Sequence, residues 1–66
     1  MQPHQQRVVA EESELYEKIG KLSLFLQTGM YSNLPEAEQD RLSRQLGHMQ
    51  AYHDVLKERI GAFEVA

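Results

Sequence analysis

Residues 42–63 read LSRQLGHMQAYHDVLKERIGAF, and within them Leu42, Leu46, Met49, His53, Leu56, Ile60 and Phe63 alternate by four and three without a break. Only His53 is not plainly apolar. This periodicity is one stripe of an α-helix, and its regularity is that of a coiled-coil-like seam. Upstream, Val8, Leu15, Ile19, Leu22 and Leu26 recur at spacings of seven, four, three and four, with the gap in the stripe at Glu11 and Glu12. That is a second helix with one apolar face.

Between the two stripes lies QTGMYSNLPEAEQ, residues 27–39, which reads as a stop, a loop and a new start. Gly29 suits a left-handed helix C-terminus, where no Cβ clashes. Asn33 and Glu36 have the spacing of a capping box, and Pro35 is tolerated in a first turn. The spacing therefore predicts helix 1 over about 4–28, a turn over about 29–33 and helix 2 over about 34–63. Helices of similar length joined this tightly lie antiparallel. Folding the chain back pairs Leu26 with Leu42, Leu22 with Leu46, Ile19 with Met49 and Leu15 with His53, so the stripes meet in register. The expected fold is all-α: an antiparallel two-helix hairpin forming a single domain over 1–66.

A hairpin of 66 residues has difficulty burying a core of its own. Below roughly 70–80 residues a single core seldom supplies more than about 3–5 kcal/mol, and disulfides, a metal or a partner chain make up the rest. Cysteine is absent, which removes disulfides and thiolate zinc sites. Apolar residues remain outside the seam: Val9, Tyr16, Leu24 and Phe25 flank the first stripe, Tyr52 and Val55 the second. Gly20 and Gly47 sit mid-helix, opposite each other on one flank, where glycine costs about 1 kcal/mol against alanine. Val9, Tyr16, Gly20, Leu24, Gly47, Tyr52 and Val55 are the expected interface of a homo-oligomer, a helical bundle between dimer and hexamer.

Net charge is −3, with ten acids against seven bases. Binding to a DNA or RNA duplex rests on neutralising phosphates, and this balance opposes it. No run approaches the roughly 18 apolar residues of a membrane span, and the opening residues lack the basic start and apolar run of a signal peptide. No partnership with a membrane is expected, and the absence of cysteine fits the cytoplasm.

The sequence holds no phosphate loop, nucleophile elbow or Ser/His/Asp arrangement, so no catalysis and no cofactor are expected. His48 and His53 are five apart and make no zinc pair, and Glu11, Glu12, Glu14 and Glu17 spread around a helix, so no metal site is expected. His53 on the apolar stripe reads as a seam residue bonded to a neighbour such as Glu12. Most bases have acids at helical spacing: Glu14 with Lys18, Glu17 with Lys21, Asp40 with Arg44. Surface ion pairs are the default for Lys21, Arg41 and Arg44. Arg7 lacks so obvious a partner, with no acid preceding it at that spacing, and lies among Pro3, His4, Gln5 and Gln6, a polar segment able to close over an anion at a subunit boundary.

The stretches PHQQRVVAEESELYEKIGKL (3–22) and LPEAEQDRLSRQLGHMQAYHDVLKERI (34–60) resemble phage and prophage proteins with the helical-hairpin domain of the anti-CBASS and anti-Thoeris sponges. The resemblance covers nearly the whole chain, though its motifs are loose helical ones. It implies a non-catalytic, oligomeric protein of the bacterial host cytoplasm that sequesters cyclic di- or trinucleotide immune signals between protomers. Such a site needs cations for phosphates and flat groups for bases. The resemblance implies Lys18 and Arg7 for phosphate and His4 and Tyr16 for stacking or polar contact. It also implies Lys57, in MQAYHDVLKER, as a candidate for a second anion site. Two other classes remain open: a protein–protein module docking a host helix, and a purely structural oligomerisation hairpin.

Overall fold

The computed structural model describes residues 1–63, and all of its regular structure is helical. Residues 64–66, inside the expected single domain, lie outside the described residues. Helix α1 spans Pro3–Phe25, α2 is a single turn over Gly29–Ser32, and α3 spans Glu36–Ala62. The long helices pack antiparallel into a rod with Cα extents of 49 × 14 × 14 Å.

Helix α1 begins at Pro3, whose missing N–H is one of the unpaired donors of any first turn. The Gln2 N–H donates to Gln5 Oε1 at 3.0 Å, and the Gln6 side-chain amide donates to the Met1 carbonyl at 3.2 Å. The polar N-terminal segment is therefore the first turn of α1, not a separate arm.

The connection differs from the stop–loop–start expected from the sequence. Among the described residues no glycine has positive φ. Gly29 does not terminate α1; it opens α2, capped by Thr28, whose hydroxyl accepts the Tyr31 N–H at 3.4 Å. Asn33 closes α2, and α3 is preceded by Pro35 with no side-chain cap, so the Asn33–Glu36 capping box does not form. Proline pushes the residue before it out of helical conformation, which separates α2 from α3. The Gln39 side-chain amide instead ties α3 to the connection, donating to the carbonyls of Ser32 at 3.1 Å and Leu34 at 2.8 Å. The Tyr31 hydroxyl donates to the Gln39 carbonyl at 3.1 Å, and Phe25 meets Tyr31 edge-on at 6.2 Å.

Val8, Leu15 and Leu56 are buried, and Ile19, Met49, Ile60 and Phe63 pack against them. Leu56 is 0% exposed. This core sits at the open end of the hairpin. Towards the turn, Leu22, Leu26, Leu42 and Leu46 are only half-buried. The seam that the sequence draws as uniform is thus well sealed at one end alone.

His53 lies on the seam as its position in the stripe requires. Its Nε2 is 2.6 Å from Glu12 Oε2, with side chains 13% and 23% exposed. The expected Glu12–His53 bond is present and accounts for the polar gap in both stripes.

Candidate functional site: two unlike faces of the hairpin

The seam uses one stripe of each helix, so binding chemistry falls to the two outer faces. On α1, Arg7, Glu11, Glu14, Lys18, Lys21 and Phe25 succeed one another by four and three, and on α3 so do Arg41, Gln45, His48, Tyr52, Val55 and Arg59. The Tyr52 hydroxyl donates to Glu11 Oε2, which shows that these stripes flank the same side of the seam. Arg44 borders the α3 stripe. Six of the seven bases therefore share one face, and Lys57 alone is on the other.

An open groove of about 630 Å³ lies on this basic face, lined by Arg41, Arg44, Gln45, His48, Met49 and Tyr52. Two of its cations are already paired. Arg41 Nε donates to Glu38 Oε1 at 2.7 Å, and Arg44 Nε to Asp40 Oδ2 at 2.9 Å. Both pairs are solvent-exposed and contribute a few tenths of a kcal/mol at most to stability, about what an i, i+4 pair does. The Asp40–Arg44 pair is the one expected from spacing. Glu14–Lys18 and Glu17–Lys21 are not formed, and among the described residues Arg7, Lys18, Lys21, Lys57 and Arg59 make no ion pair.

The opposite face carries a run of small residues among larger polar ones. Val9, Ser13, Tyr16, Gly20 and Ser23 run along α1, with Ser43, Gly47, Gln50, Asp54 and Lys57 along α3. The Tyr16 and His53 rings, 5.7 Å apart, mark its boundary with the seam. A Cβ added at Gly20 or Gly47 would meet nothing within 4 Å, so none of the described residues fills this shallow face at the two glycines.

These two faces divide the residues singled out from the sequence. His4, Arg7 and Lys18 are exposed along the basic side of α1, whereas Tyr16 and Lys57 are exposed on the small-residue side. One chain does not bring the five together. The oligomer set divides too: Val9, Tyr16, Gly20 and Gly47 share the small-residue face, Tyr52 and Val55 stand on the basic face, and Leu24 points outward near the turn. Tyr16 is 65% and Leu24 67% exposed, Tyr52 and Val55 are exposed, and Val9 is half-buried. The groove itself was missed. Arg41 and Arg44 read as surface ion pairs, which they are; the overlooked signal was that Gln45, His48 and Tyr52 continue their stripe.

Among the described residues no three His, Cys, Asp or Glu side chains gather as a metal site, and no helix is long and apolar enough to cross a membrane. Comparison with curated proteins finds no match, and neither does comparison with solved structures. The model of one family, Sequestin, matches residues 2–62. That span takes in both long helices, the connection and both outer faces. A family named for sequestering suits a hairpin whose chemistry is all on its surface, and on this match the chain belongs to the Sequestin family.

Proposed function

We propose that this protein is a phage-encoded sponge that binds cyclic di- or trinucleotide immune signals in the bacterial cytoplasm and lowers their free concentration without catalysis. The observation that carries the reading is the gathering of six of seven bases on one face of an otherwise acidic chain. A cyclic oligonucleotide offers several phosphodiesters and flat bases, and that face offers Arg7, Lys18 and Lys21, without an ion pair among the described residues, together with the rings of His4, His48 and Tyr52. The family's name supports retention of a ligand as the task.

The binding unit in this proposal is an assembly. His4, Arg7 and Lys18 of one protomer would be completed by Tyr16 and Lys57 of another, since these stand on opposite faces. The surface supports association: 5111 Å² is accessible, against roughly 4300 Å² for a compact monomer of this mass. Each mid-helix glycine is unopposed, so Gly20→Ala and Gly47→Ala should each stabilise the single hairpin by about 1 kcal/mol. In the assembly the added methyls would hold neighbours apart. The double variant is expected to gain helicity while its mass by light scattering falls; an unchanged mass removes the small-residue face from the interface.

The decisive test is calorimetric titration with cyclic di- and trinucleotides and cyclic ADP-ribose isomers, with mass measured in parallel. Heat from at least one of them and a mass above the monomer are expected. No heat together with a monomer mass overturns both the sponge and the assembly. With a binding ligand in hand, Lys18→Ala should weaken affinity by at least about 1.5 kcal/mol, the scale of a charge-assisted hydrogen bond. Unchanged affinity would assign the phosphate to another base.

Exposed Leu24 and Met30 favour a second reading, a module that docks a host protein through the turn end. In that case Leu24→Ser would abolish partner binding and leave any nucleotide titration untouched.

A further inference from the structure

Arg41 and Arg44 differ from the other bases in being held in place. A guanidinium carries five N–H donors, and each of these spends its Nε–H on a carboxylate of its own helix, Glu38 or Asp40. The four N–H bonds on the two Nη atoms remain. The ion pairs therefore orient the two forks more than they occupy them, one helical turn apart and at one end of the groove. At the other end Tyr52 is tied by its hydroxyl to Glu11, which fixes its ring. His48 stands between, and Gln45, whose amide lies 3.9 Å from the Met49 sulfur, lines the groove together with Met49.

This arrangement has a length and a polarity. From Arg44 to Tyr52 is eight residues, roughly 12 Å along the helix axis, the span of one phosphate, one sugar and one ring. The groove volume of about 630 Å³ is in the range of small-molecule sites. Negative charge is welcomed at the two guanidiniums and opposed at the far end by Glu11. Apolar and aromatic surface lies where the charge would be repelled.

We infer that the α3 groove binds a phosphate ester bearing one flat ring, a single nucleotide unit, with its phosphate on Arg41 and Arg44 and its ring against His48 and Tyr52. This rests on the nucleotide-binding reading above and adds a site within one protomer, separate from Lys18 and Arg7. Such a unit is either a free mononucleotide or one corner of a larger ligand.

Nuclear magnetic resonance of the full chain tests it, with adenosine 5′-monophosphate, adenosine and inorganic phosphate as probes. The monophosphate should produce saturable shifts at the Arg41 and Arg44 guanidinium and the His48 and Tyr52 ring signals. Adenosine and phosphate alone should bind at least about tenfold more weakly, since each satisfies one end only. Arg41→Ala with Arg44→Ala should lower the monophosphate affinity at least about tenfold, while Arg59→Ala should not. Shifts centred on Arg7 and Lys18, or a monophosphate no better than phosphate, would overturn the site. So would groove signals that change with protein concentration alone, because a second copy would then be the occupant. Heat from the cyclic panel with a silent groove leaves sequestration standing and removes this site. Groove shifts with no heat from the panel keep the site and remove the cyclic ligand.

Discussion

Leu56→Ala is expected to abolish the cooperative thermal unfolding transition of the hairpin, as followed by circular dichroism. Among the described residues Leu56 is the one fully buried side chain, in a core with Val8 and Leu15. Truncating a buried leucine costs about 2–5 kcal/mol, part of it lost transfer energy and part the cavity left behind. A domain of this size has about 3–5 kcal/mol to lose. Its neighbours Ile19, Met49, Ile60 and Phe63 belong to two rods held apart by their own backbones, so the cavity cannot close without tilting the helices. Leu56→Met keeps the volume and should cost less than about 1.5 kcal/mol, retaining the transition. A Leu56→Ala variant that melts within a few degrees of the parent would mean that assembly, rather than this core, holds the chain folded.

His53→Ala is expected to cost about 2–3 kcal/mol. It removes the ring that packs on Tyr16 and strands the carboxylate of Glu12, which is mostly shielded from water. Glu12→Ala should cost less, because the imidazole left behind keeps its packing. The pair also has a positional task. An apolar seam with period near 3.5 tolerates sliding by a turn, and one polar contact that must be met singles out one register. A double-mutant cycle should give a coupling energy of about 1–3 kcal/mol between the two positions. A coupling near zero would show that His53 contributes packing alone and that register is set by the connection.

The stripes of α1 and α3 were readable because burial imposes a period, and so were the placement of His53 opposite Glu12 and the exposure of Tyr16, Leu24, Tyr52 and Val55. The connection was not. It is tied by Gln39, a residue of the first turns of α3 that reaches back to the carbonyls of Ser32 and Leu34, and no local spacing rule encodes a contact that exists only after the chain has turned. Gly29 misled for the related reason that a glycine permits a left-handed turn without requiring one. The candidate groove escaped because two arginines with acidic neighbours carry the same pattern whether a guanidinium is consumed by its carboxylate or aimed by it. Only the geometry, Nε engaged and the Nη groups left over, separates those cases.

The division between seam and outer faces bears on how such a protein changes over generations. Folding information is concentrated in the apolar stripes, and the Glu12–His53 bond guards the alignment. Arg7, Lys18 and Lys21 of the α1 stripe, and Arg41, Arg44 and His48 of the groove, have no part in either. Substitutions at such exposed positions usually move stability by no more than about 0.5 kcal/mol. A lineage can therefore trade Arg41, His48 or Lys18 for other side chains, one at a time, without passing through an unfolded ancestor. On the proposed function, selection for a different ligand would act on those positions almost unopposed, and the hairpin would persist as an inherited frame on which ligand preference drifts.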